Sequence, residues 1–152
     1  MNNRKVYISG EIVPEVDAKI SIFDSAVLLG DTVTESTRTF NFKPFKLDEH
    51  LERLYKSFKL TRIDPQMTIE EMKKVSLELL EINKDNYKAN EDCWLVHNIS
   101  RGHSITGGNP ALQVSKPTVM IYTQPMNLVS WAPFYSKGCH AVTPPTLSLI
   151  HI

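Results

Sequence analysis

Cysteine is scarce in this sequence, and a net charge is missing altogether. The two cysteines, Cys93 and Cys139, stand too far apart for a CxxC pair, which excludes a disulfide framework and a thiol-based redox or zinc motif. Both read as small buried side chains. None of the five histidines, His50, His97, His103, His140 and His151, has metal-ligand spacing to a cysteine or to another histidine, so no metal site is expected. Lys+Arg 17 against Asp+Glu 17 leaves a formal net charge of +0, and no global field gathers nucleic acid or an anionic membrane surface. No apolar run approaches the roughly 20 residues of a membrane span. The segment Met1 to Gly10 lacks the basic, apolar and small-residue zones of a signal peptide, and the expected compartment is the cytoplasm. Internal repeats and low-complexity tracts are absent too.

What is present suits one ordinary core. The 152 residues are 41% hydrophobic and 22% charged, enough for a single domain plus a remnant. Val6-Tyr7-Ile8 and Ile12-Val13 flank Ser9-Gly10-Glu11, a hairpin in which Gly10 takes the positive φ of a tight turn. Ile20-Ser21-Ile22 alternates like a strand, and Val33 to Phe40 is rich in β-branched residues. Asn41 and Pro44 mark the turn before Phe45. Leu51, Leu54, Tyr55 and Phe58 then fall at i, i+3, i+4 and i+7, one face of a helix that Asp48 would N-cap. A second helix starts at Thr68, which forms a capping box with Glu71 just after Pro65. Its buried face is read as Ile69, Met72, Val75, Leu79, Leu80 and Ile82. After a polar loop from Asn83 to Asp92, Cys93–Ile99 and Thr118–Thr123 read as strands with a Gly107-Gly108 connection. Strands, two helices, then strands predict an α+β domain with a mainly antiparallel sheet. The character changes near Pro125. Residues 1–126 form the domain in this reading; 127–152 are a connector, Asn127 to Pro133, followed by a first strand of something new, Gly138 to Thr143.

The run Gly30-Asp31-Thr32-Val33-Thr34-Glu35-Ser36-Thr37-Arg38-Thr39-Phe40, followed by Lys46-Leu47-Asp48-Glu49-His50-Leu51-Glu52-Arg53-Leu54, resembles the fold-type-IV pyridoxal-phosphate enzymes. Those include the class IV aminotransferases of the branched-chain and D-amino-acid kinds, the (R)-selective amine transaminases and aminodeoxychorismate lyase. The resemblance implies the small N-terminal domain of that fold, with pyridoxal 5′-phosphate (PLP) as cofactor, an amino donor and a 2-oxo acid as substrates, and a homodimer. It also implies that Arg53, the arginine of the H-L-x-R-L motif, binds the cofactor's phosphate. A guanidinium suits that task because it offers several donors and keeps its charge. Read from the residues alone, Arg53 would sit on the solvent face of its helix in a weak pair with Glu49.

On the substrate side the resemblance points to Thr34, Arg38, Trp94 and Val96. The sequence departs from the branched-chain pattern there, with Thr34 for an aromatic, Leu29 for a tyrosine and Val96 for an arginine. The arginine-histidine carboxylate clamp of D-amino-acid enzymes has no counterpart in Ser104-Ile105-Thr106-Gly107, and Arg101 reads as structural. Relatives follow a Pro-Pro segment with the lysine that carries the cofactor, whereas here Pro144-Pro145-Thr146-Leu147-Ser148 leads into Leu149-Ile150-His151-Ile152. No lysine follows Lys137. A chain truncated before that lysine is expected to be inactive or nearly so, with no catalytic residue of its own. Two other readings remain: a non-catalytic homodimerising domain, and a weak hydrolase built from Asp24, Asp31, Glu35 or His97.

Overall fold

The computed structural model describes residues 3–88, 91–103 and 116–143. Strands β1 (Lys5–Ile8) and β2 (Glu11–Pro14) pair antiparallel, with Ile8 opposite Glu11. Ser9 and Gly10 turn the chain at φ 46° and 115°, the left-handed backbone that a two-residue hairpin needs and that glycine tolerates. The strand expected over Ile20-Ser21-Ile22 does not form, and Ile22 is 70% exposed. A polar anchor outcompetes its weak alternation. Asp24 is buried, N-caps the short helix α1 (Ser25–Leu29) by accepting from the Ala26 amide at 2.9 Å, and takes the Thr118 hydroxyl on its other oxygen at 2.5 Å. Gly30, at φ 66°, closes α1 and releases the chain into β3 (Thr32–Phe40).

Asn41 and Phe42 turn β3 into β4 (Lys43–Pro44) at φ 50° and 61°. Pro44 therefore lies in an edge strand rather than in the turn, where its missing N–H costs nothing. Helix α2 (Leu47–Thr61) is capped by Lys46 in the left-handed region, not by Asp48. Asp48 sits in the first turn instead, where the helix dipole favours a carboxylate, and pairs with Lys73 at 2.6 Å. Leu51, Leu54 and Phe58 are buried as their spacing requires, and Tyr55 packs beside them.

Helix α3 (Ile69–Asn83) starts with the expected capping box: the Thr68 amide donates to Glu71 Oε2 at 2.7 Å and the Glu71 amide to Thr68 Oγ1 at 3.2 Å. Its buried face is Met72, Ser76, Leu79, Leu80 and Asn83, while Ile82 points outward. Asn83 takes that place because its amide hydrogen-bonds both backbone groups of Lys5, at 2.7 and 2.8 Å. A polar residue with both ends satisfied is as buriable as an isoleucine.

Strands β5 (Cys93–Ser100) and β6 (Thr118–Pro125) complete one sheet of order β2-β1-β6-β5-β3-β4, antiparallel at every pairing. Helices α2 and α3 cover one face, and the core of Leu51, Leu54, Phe58, Met72, Leu79, Leu95, Ile99 and Ile121 fills the space between. The α+β architecture expected from the sequence is the one observed. Where a connector was expected, helix α4 (Leu128–Lys137) forms, capped by Asn127 accepting from the Ser130 amide at 3.3 Å. Pro133 masks its periodicity, since a proline inside a helix is the usual sign of none. No strand forms over 138–143. The Gly107-Gly108 connection and the ending from Pro144 lie outside the described residues.

Candidate functional site

Strand alternation sorts the sheet into two faces. On β3, Val33, Glu35, Thr37 and Thr39 turn toward the helices and are buried, while Thr34 and Ser36 are exposed on the other side. The register places Arg38 opposite Trp94, Ser36 opposite Val96 and Thr34 opposite Asn98. Trp94, Val96 and Asn98 in turn face Gln124, Tyr122 and Met120 on β6. Thr34, Arg38, Trp94 and Val96, singled out separately in the sequence, thus lie on a single face of the sheet, away from α2 and α3. The Arg38 guanidinium lies over the Phe40 ring at 4.0 Å, and α4 sets Trp131 against Trp94 with ring centroids 6.4 Å apart.

Arg53 is not with them. It projects from α2, in the layer on the opposite face, and reaches the margin of β3. Among the described residues that strand pairs over Thr32 to Arg38 with β5 alone, because β4 meets only Thr39 and Phe40. Its partner is Glu35 rather than Glu49. Arg53 Nε donates to Glu35 Oε2 at 2.6 Å and Nη2 to Oε1 at 2.5 Å. Strand geometry sends Glu35 toward the helix layer, where it is 6% exposed, and the arginine is the cation within reach. Oε1 also takes the Ser36 amide at 3.0 Å and lies 2.9 Å from His50 Nδ1. An ionised carboxylate only accepts, so Nδ1 carries the proton and donates. The 3.2 Å approach of Arg53 Nη2 to the same nitrogen is then a contact between two donors. Burial pushes the Glu35 carboxyl up, but the hydrogen bonds from Arg53 and His50 outweigh it and hold the group below its ordinary range.

Behind this cluster, His97 stands opposite Glu35 on β5 and is wholly buried. Its Nε2 lies 2.7 Å from the Ser76 hydroxyl, which spends its own proton on the Met72 carbonyl at 2.7 Å. Nε2 must therefore be the donor, leaving Nδ1 without a partner among the described residues. Ser76 and His97 have the spacing of a nucleophile and its base, yet both have 0% exposure and no substrate can reach them.

The other residues of the hydrolase reading have structural duties. Asp24 caps α1, and Asp31 accepts from Arg101 Nε at 2.7 Å. Arg101 also donates to the terminal carbonyls of α2, Thr61 at 3.0 Å and Arg62 at 2.8 Å, the structural role expected of it. Cys93 is buried, with its thiol pushed up to about 11 by burial, whereas Cys139 is exposed, contrary to expectation. Among the described residues no three or more of His, Cys, Asp and Glu gather as metal ligands. No helix there is long and apolar enough to cross a membrane.

From the sequence alone Glu35 is no more than a stray acid and His50 has no role. The signals that could have joined them to Arg53 are the i, i+3 spacing of His50 and Arg53 on one helix face and an acid at an inward position of an alternating strand.

Comparison with known proteins gives a consistent picture. A family model described as amino-transferase class IV matches residues 32–146. A Methanocaldococcus jannaschii protein classed as a branched-chain-amino-acid aminotransferase is 39% identical over 122 residues, which are 80% of this chain and 40% of that protein. A D-alanine aminotransferase of Staphylococcus epidermidis is 32% identical over 79% of this chain and 41% of its own length. Among solved structures, the Escherichia coli branched-chain amino acid aminotransferase superposes with a TM-score of 0.70 at 25% identity, over 82% of this chain and 40% of that one. The T.th. branched-chain amino acid aminotransferase with pyridoxamine 5′-phosphate superposes with a TM-score of 0.69 at 26% identity, again over 82% and 41% of the two chains. The chain thus spans about two fifths of the length of these relatives.

Proposed function

Because the chain belongs to the amino-transferase class IV family, we propose that it is the small domain, residues 1–126, followed by helix α4 (Leu128–Lys137), of a PLP-dependent transferase moving an amino group from an amino donor to a 2-oxo acid. The observation that carries this reading is the state of Arg53. Glu35 occupies the side of the guanidinium formed by Nε and Nη2, so the end formed by Nη1 and the second Nη2 proton is left to face outward on a side chain that is 65% exposed. Two parallel donors at that spacing match two oxygens of a phosphate monoester, and the donor set therefore fits the cofactor's phosphate. Solved relatives carry the same family of ligand, as the T.th. enzyme with pyridoxamine 5′-phosphate illustrates.

When bound, PLP supplies a carbonyl that accepts the amino group and a ring that withdraws electrons from the adjacent carbon. The duties of this chain's residues are simpler. Arg53 holds the phosphate at the margin of β3, and the opposite face of the sheet offers a substrate the Thr34 hydroxyl, the Arg38 cation and the Trp94 ring, with Val96 buried at 6% exposure beneath them. In this reading the part of residues 1–152 is to bind the cofactor's phosphate and to orient the substrate.

Binding of PLP to the 152-residue chain, followed by NMR or fluorescence, tests the reading. Arg53→Ala is expected to weaken PLP on the order of tenfold or more through loss of charge-assisted hydrogen bonds, while leaving the affinity for pyridoxal, which has no phosphate, unchanged. Equal affinities of wild type and Arg53→Ala for PLP would count against it.

A further inference from the structure

We propose that Glu35 is a positioning residue: its carboxylate fixes the Arg53 guanidinium so that the outer pair of N–H donors forms a rigid clamp for a tetrahedral oxyanion. The inference rests on the reading of Arg53 as a phosphate ligand and adds the residue that shapes the site. A free arginine on a helix surface samples many rotamers and loses much of that freedom on binding. Here the ordering is done in advance. Oε1 accepts from three directions, Ser36 N at 3.0 Å, His50 Nδ1 at 2.9 Å and Arg53 Nη2 at 2.5 Å, and Oε2 accepts from Arg53 Nε at 2.6 Å. Such a carboxylate cannot rotate without breaking a bond, and burial at 6% exposure denies it water as a substitute. The guanidinium plane is fixed in turn, because a side-on bidentate contact sets both its distance and its orientation.

The arrangement also has an electrostatic consequence. Glu35 cancels the charge of Arg53, so the pair attracts anions weakly at long range and selects them by geometry at short range. Positioning and charge therefore make opposite predictions for Glu35→Gln. If Glu35 were only an internal anion competing for Arg53, removing its charge would tighten phosphate binding. As a positioning residue it must do the reverse, since an amide offers one acceptor where the carboxylate offers two.

The test uses the 152-residue chain with inorganic phosphate, PLP and pyridoxal as probes, and with the Arg53 Nε–H followed by nitrogen-15 NMR. In the wild type the Nε–H is expected to exchange slowly and to shift on addition of phosphate. Glu35→Gln should speed that exchange and weaken phosphate and PLP at least about fivefold with pyridoxal unchanged, and Glu35→Asp should restore part of the loss. Because Glu35→Gln also alters a buried group, Arg53→Lys gives a second route through an exposed one. A lysine cannot be held side-on and donate end-on at once, so Glu35→Gln in that background should change phosphate affinity little, closing a strongly non-additive cycle. Tighter phosphate binding by Glu35→Gln, additive effects in the cycle, or no shift of the Arg53 Nε–H with any phosphate would each overturn the inference. Phosphate binding that follows the expected pattern while PLP fails to compete with it would leave the clamp standing and remove the cofactor reading instead.

Discussion

Acidification from pH 6.5 to pH 4 is expected to remove about 3 kcal/mol of folding stability through His97 alone. Burial pushes this imidazole down from 6.5 to about 4, the strand-opposed Glu35 carboxylate opposing the shift and His50 reinforcing it. An unfolded chain therefore takes up the proton near pH 6.5 while the folded one refuses it until about pH 4. Since the unfolded state binds more protons in that interval, stability is full above it and falls as the pH drops through it. Glu35 adds a separate loss at lower pH: its folded carboxyl lies below the ordinary range, so its contribution fades only as the pH passes below about 4.3, the usual glutamate value. Urea midpoints at about pH 7 and about pH 4.5 for the wild type and His97→Gln separate the two. The variant should be less stable at neutral pH, because a fully buried ring is replaced by a flexible side chain that fills its space less well, yet lose far less on acidification. Parallel losses in both proteins would show that His97 is not the group that titrates.

Leu54→Ala is expected to cost about 3 kcal/mol, within the usual range for emptying a leucine site in a packed core. Leu54 is 1% exposed and lies in the same helix as Leu60, which is 85% exposed. Both are leucines in α2, so helix propensity changes alike in the two alanine variants and burial is what separates them. Leu60→Ala should stay within about 0.5 kcal/mol of wild type. Against a total of about 5–15 kcal/mol for a domain, the Leu54 loss would lower the urea midpoint markedly without altering the slope. Equal, small effects at both sites would mean that residues 1–126 do not hold a cooperative core of their own, and that the stretch needs the rest of a longer protein to fold.

The parts of the fold legible in the sequence were those fixed by local chemistry. The hairpin at Gly10, the capping box of Thr68 and Glu71, and the stripe of Leu51, Leu54 and Phe58 each depend on residues a few positions apart, and each is found as expected. What was not legible depends on partners far along the chain. Ile20 to Ile22 alternates like a strand, but Asp24 just beyond it is fixed by Thr118, 94 residues away. Ile82 gave up its buried place to Asn83 because Lys5, 78 residues away, supplies both backbone partners. The candidate site divides in the same manner. Alternation alone would have placed Thr34 and Arg38 on one face and Glu35 on the other, but only the pairing of β3 with β5 brings Trp94 and Val96 beside the first pair. The bond from Arg53 to Glu35 spans 18 residues and joins a helix to a strand margin; the patterns within each element mark its two ends, but only the packing of α2 on β3 joins them.

Reduction with borohydride in the presence of PLP, followed by intact mass measurement of the 152-residue chain, distinguishes a cofactor held by its phosphate from one held by an amine. The expected result is unmodified protein, apart from slight scattered labelling of exposed lysines, in a sample whose PLP was bound before reduction and was displaced by inorganic phosphate. One full equivalent of reduced cofactor on a single lysine, in a protein that also turns over an amino donor, would contradict the account.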